Sequence, residues 1–158
     1  MKTKYISSSE AVKGAKESVI AKSETNDCVV RAFASAFDVD YDTAHAEVKS
    51  VFKREDRKGT RFFSGRMNNL SQNEYTLNGR KIEEVKTGVY NLRYYVETAS
   101  GMVLRNTTTA YFLNKYPVGT YIVIVRGHAF TIKDGVVIGN LNDAKQRKKH
   151  ITGAWKIG

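Results

Sequence analysis

Proline and cysteine are nearly missing from this chain of 158 residues, which has Pro117 and Cys28 as its sole examples. A single thiol excludes an internal disulfide framework and fits a reducing compartment. With only three histidines beside it (His45, His128 and His150), scattered along the chain, a tetrahedral zinc site is poorly supplied, and neither metal nor other cofactor is expected. Long hydrophobic runs are also missing. No stretch approaches the roughly 20 apolar residues that span a bilayer. The opening M-K-T-K-Y-I-S-S-S-E has basic residues but no apolar segment of the kind a secretory signal carries, so the expectation is a cytoplasmic protein with no membrane partner. Acidic residues are in the minority, 16 against 26 Lys plus Arg, which leaves a formal net charge of +10.

That excess draws anionic partners, either nucleic acid or an acidic protein surface. Its densest parts are K-R-E-D-R-K-G-T-R-F-F-S-G-R (53–66), read as an exposed basic loop, and K-Q-R-K-K (145–149). Arg57, Lys58, Arg61, Lys145, Arg147 and Lys148 are the candidate anion-binding residues, and Phe62 and Phe63 would either stack on bases or close over the core.

The length and the absence of repeats or Pro-rich linkers predict one domain over 1–158, with residues 1–20 as a loose arm or short helix. Cys28, Val29, Ala32, Phe33, Ala36 and Phe37 recur at helical spacing, with Asn26 or Asp27 able to cap the first turn, and this buried helix should end near Asp38. A second helix carries Tyr41, Ala44, Val48, Val51 and Phe52 behind a cap at Asp42 or Thr43. The segments near 75–77, 82–85 and 91–96 are short and of unassigned type, and Thr107–Lys115 reads as a helix. Beyond the turn at Pro117-Val118-Gly119, β-branched and aromatic residues predict strands at 120–126, 128–133 and 136–140, with a tight turn at Asp134-Gly135, and G-A-W-K-I-G forms a last strand. Helices first and an antiparallel sheet last is the α+β pattern.

Within this frame Cys28 has a chemical reading. At a helix N-terminus the dipole and unpaired N–H groups favour a thiolate, and the residue's own N–H can serve a developing oxyanion. His128, directly after Gly127 at the start of a central strand, is the candidate base. Hairpin pairing brings Ile138 to Asn140 alongside it, so Asn140 is the expected orienting group, with Asn142 and Asp143 as alternatives. Asn26, with the Cys28 N–H, is the candidate oxyanion donor. His45 is expected to be a partly exposed structural residue beside the apolar stripe of the second helix, and His150 to be solvated.

The motif N-D-C-V-V-R-A-F-A, the helix leading into Y-P-V-G-T-Y-I-V, and G-H-A-F-T-I-K-D-G-V-V-I-G-N resemble the papain-like cysteine peptidase superfamily, its small bacterial and phage-type members in particular. The resemblance runs from about residue 20 to 158, with the Cys and His motifs as its specific parts. It implies a thiolate–imidazolium pair and acyl transfer through a thioester, ending in hydrolysis of an amide or isopeptide bond in a protein or peptide substrate. Deamidation, transglutamination and removal of a ubiquitin-like modifier use the same groups. Many such proteins carry Gln about six residues before the cysteine, where this chain has Lys22. That departure and the positive charge motivate the alternative: a catalytically silent binding or inhibitor protein on the same scaffold.

Overall fold

A sheet whose central strands are apolar on both faces must be covered on both, and the C-terminal strands impose that here. In the computed structural model, which describes residues 3–61, 63–85, 93–146 and 149–158, the chain begins with β1 (Tyr5–Ser7), α1 (Ser8–Ala11), α2 (Val19–Ser23), α3 (Cys28–Phe37), α4 (Tyr41–Phe52) and α5 (Phe63–Gln72). It continues through β2 (Thr76–Leu77), β3 (Arg80–Glu84), β4 (Arg93–Thr98), β5 (Gly101–Asn106) and α6 (Thr109–Lys115). The last part is β6 (Thr120–Val125), β7 (His128–Lys133), β8 (Val136–Gly139), α7 (Leu141–Lys145) and β9 (Gly153–Ile157). The fold is mixed α+β.

Among the described residues seven strands form one sheet in the order β1-β8-β7-β6-β9-β3-β2, and β4 and β5 form a separate pair. All neighbours in the large sheet are antiparallel except β1, which lies parallel to β8 with Ile6 opposite Ile138. Alternation along the strands builds two cores. Ile122, Ala129, Trp155 and Ile157 join Phe33, Phe37, Val48 and Phe52 under α3 and α4. Tyr121, Val123, Phe130 and Val137 face the other way, against Phe112 of α6 and Ala144 of α7.

Several expectations change. Of the two readings of the first 20 residues, the loose arm fails and the short helix holds at α1 (Ser8–Ala11), while β1 is a sheet edge and Val12 and Ala15 are buried. The cap of α4 is Asp40, which accepts the Thr43 N–H at 2.8 Å, so that helix starts earlier than Asp42 or Thr43 would allow. The basic stretch 53–66 is a loop only as far as α5, where Phe63 turns inward against Phe52 and Trp155 and is buried. The segment near 91–96 is a strand from Arg93. Residues 91 and 92, Phe62, Arg147 and Lys148 lie outside the described residues.

Candidate functional site

The chain arrives at α3 through Asn26, whose φ of 52° places it in the left-handed region that asparagine tolerates. That reversal lets the helix begin abruptly at Cys28. Asp27 stands at the cap position but makes no side-chain capping bond. Its carboxylate accepts instead from Arg31 Nε at 3.0 Å and from the Tyr41 hydroxyl at 2.7 Å. The N–H groups of the first turn are thereby left to other acceptors.

Cys28 is only partly exposed. Burial by itself would raise its thiol. A hydrogen bond with His128, the Ala129 N–H, the imidazole charge and the Val29 N–H outweigh that and hold it below its ordinary value. His128 moves the other way, up to about 9, chiefly through its hydrogen bond with Asp143 and then through Cys28. Its Nε2 lies 3.0 Å from Asp143 Oδ2, which leaves Nδ1 for the thiol. The lowered thiol, the raised imidazole and the buried carboxylate beside it are electrostatics that favour charge separation between Cys28 and His128.

The orienting group is therefore Asp143 rather than Asn140. Pairing of β7 with β8 stops at the end of β8, and Asn140 becomes the N-cap of α7. Asp143, three residues on, folds back so that its Oδ2 accepts the Asn140 N–H at 2.7 Å and also meets His128. The side chain of Asp143 is 6% exposed and that of His128 22%. The asparagine followed three residues later by an acid was a helix-start signal in the sequence, and reading it so would have nominated Asp143.

Asn26 is likewise engaged elsewhere: its amide donates to the Arg57 carbonyl at 3.3 Å, and Thr25 Oγ1 donates to the same oxygen at 3.1 Å. The Cys28 N–H, as the first of the helix, has no carbonyl one turn earlier to bond. Lys22 is exposed near the end of α2.

Two sets of contacts hold this site rigid. Thr131 of β7, fully buried, donates to the Ala32 carbonyl at 3.0 Å and pairs with Ser35 Oγ at 2.8 Å, fastening the cysteine helix to the histidine strand. Glu24 fastens the loop after α4 to the segment before Cys28: it binds Arg54 Nη1 and His45 Nε2 at 2.6 Å each, and the Arg57 N–H at 2.6 Å. Burial raises the Glu24 carboxyl, but Arg54, His45 and the Arg57 N–H together bring it down to about 2. His45, expected to be partly exposed, is buried, because Glu24 holds its Nε2 inside this network. Donor atoms of Glu24, His45 and Asp56 lie within 4.8 Å of one another, the one such group among the described residues. Arg54 already supplies the cation there.

A cleft of about 500 Å³ opens over Cys28 and His128, lined also by Ser8, Arg31, Thr60 and Asn140. Gly59 and Thr60 bring the loop after α4 to its rim. Of the candidate anion-binding residues, Arg57 and Arg61 are exposed, Lys58 pairs with Glu55 at 2.6 Å, and Lys145 is exposed on the last turn of α7. The contributions of Ser8 and Arg31 were not anticipated. Ser8 reaches the cleft only because β1 joins the far edge of the sheet.

No family model, no curated protein and no solved structure matches this chain.

Proposed function

We propose that the chain is a papain-like cysteine hydrolase that cleaves an amide or isopeptide bond through Cys28, His128 and Asp143. The observation that supports it is a single imidazole held between a thiol of lowered pKa and a buried carboxylate, at the floor of an open cleft. The Cys28 thiolate attacks the substrate carbonyl, and the tetrahedral oxyanion takes the Cys28 N–H. His128, protonated in the resting pair, gives its proton to the departing amine, leaving a thioester on Cys28. It then takes a proton from water, which attacks the thioester and restores the thiolate and imidazolium. Asp143 keeps Nδ1 aimed at sulfur and stabilises the charged ring throughout.

The dedicated experiment is the rate of iodoacetamide labelling of Cys28 against pH in the wild type, His128→Ala and Asp143→Asn. The expected result is rapid labelling at neutral pH, with the acid limb displaced upward in both variants. Labelling at the rate and pH of an ordinary thiol, unaffected by either substitution, would overturn the proposal.

A further inference from the structure

Cys28 and Arg31 lie three residues apart on α3, so their side chains share one face of the helix. Both line the same cleft. A guanidinium inside the cleft of a cysteine nucleophile is not needed for thiol chemistry, because His128 already supplies the positive charge and Asp143 orients it. Nor is Arg31 a surface cation reaching out to solvent: its side chain is 22% exposed.

Its contacts hold it in place without exhausting its donors. Nε binds Asp27 at 3.0 Å, and Nη1 donates to Ser9 Oγ at 3.2 Å and Ser8 Oγ at 3.4 Å. The guanidinium carbon sits 5.5 Å from the centre of the Tyr41 ring. Among the described residues Nη2 has no hydrogen-bond partner. Asp27, which also lines the cleft, pairs with Nε and accepts the Tyr41 hydroxyl, so it occupies the Nε side of the guanidinium and leaves the Nη2 edge to a ligand. The two serine hydroxyls accept from Arg31 and keep their own protons to donate. A planar cation with an open N–H edge, flanked by two hydroxyl donors, is the chemistry that receives a carboxylate.

We propose that Arg31, with Ser8 and Ser9, forms a carboxylate-binding subsite in the Cys28 cleft, so that the preferred substrate carries an acidic group next to the bond that is cleaved. The subsite rests on the reading of Cys28 as the nucleophile. Arg31 is its specificity residue and takes no part in proton transfer. The carboxylate comes either from an acidic side chain or from a free chain terminus. The net charge of +10 reinforces the preference at longer range.

The test compares iodoacetate with iodoacetamide as alkylating agents for Cys28, since the two differ in one negative charge. Taking the ratio of their rate constants removes any change in the thiol itself. The expected result is a ratio that falls about fivefold or more in Arg31→Gln and recovers in part in Arg31→Lys. An unchanged ratio in Arg31→Gln would overturn the subsite. A second measurement uses the unmodified protein, in case Arg31→Gln does not fold. N-acetylaspartate α-amide should protect Cys28 from iodoacetamide where N-acetylasparagine α-amide does not, and N-acetylalanine with a free carboxylate distinguishes a chain terminus from a side chain. Equal protection by all three, or by none, would overturn it as well. Failure of the nucleophile reading has a different signature: iodoacetamide alone would then react as with an ordinary thiol.

Discussion

The Asp143 carboxylate lies so close over Gly139 that a Cβ at position 139 would collide with it, and would also press on the Cβ of Phe130 at 3.0 Å. The absent side chain of one residue is thus the space in which the other reaches His128. Gly139→Ala should push the carboxylate away from the imidazole while leaving every titratable group in the chain. A displacement on the order of 1 Å is enough to lower turnover by about 100-fold. The check is a comparison of kcat/KM and thiol pKa between Gly139→Ala and Asp143→Asn, which should resemble each other in direction.

The opposite shifts of Cys28 and His128 predict a bell-shaped dependence of kcat/KM on pH. Its acid limb follows the lowered thiol and its basic limb the imidazolium, near 9. Alkylation should not show the basic fall, because a thiolate released from its cation remains reactive. For folding stability the two shifts oppose. His128, raised from 6.5 to about 9, contributes fully below 6.5 and loses that contribution as pH rises through 9. The lowered Cys28 thiol contributes fully above its ordinary value and loses that contribution as pH falls through its folded value. Denaturant midpoints measured from pH 6 to 10 should decline more steeply in Cys28→Ala, where Asp143 still raises His128 and no thiol opposes it, than in the wild type.

Glu24 supplies the acid-side counterpart. Its carboxyl is lowered from 4.5 to about 2, so its contribution is present above 4.5 and disappears as pH falls through 2. Glu24→Gln should destabilise the protein by about 3–5 kcal/mol at neutral pH, because the Arg54 side chain, 1% exposed, loses its carboxylate partner. Urea denaturation at pH 7 and pH 3 tests both parts, with the difference between wild type and variant narrower at pH 3.

Thr131→Val removes the hydroxyl that joins Ser35 to the Ala32 carbonyl at nearly constant side-chain volume. The expected cost is about 1–3 kcal/mol. If the bridge sets the distance between thiol and imidazole, the Cys28 pKa should rise too, and Thr131→Ser should restore it. Thermal denaturation and the alkylation profile measure the two effects separately.

Local patterns carried much of this structure in the sequence. The apolar period of α3 and the Asp134-Gly135 turn between β7 and β8 placed Cys28 and His128 because each depends on neighbours a few residues away. Asp143 was harder, since α7 has five residues and is too short for any periodicity to show. The amide of Asn26 could not be assigned because its acceptor, the Arg57 carbonyl, is 31 residues away in a loop. Phe63 looked like part of a basic loop because Arg61 and Arg66 surround it, and only the packing against Phe52 and Trp155 draws it inside.

The parallel pairing of β1 with β8 gives the site a history in time. The Tyr5 hydroxyl bonds to the Gly139 carbonyl across 134 residues, so β1 has no sheet partner until β8 has been made. The serines that follow it then reach the cleft at the same stage as the glycine that makes room for Asp143. During synthesis from the N-terminus, Cys28 is present long before His128 or Asp143. The thiol therefore emerges as an ordinary one, and its lowering waits for His128 and the Ala129 N–H, which arrive only when β7 docks against α3.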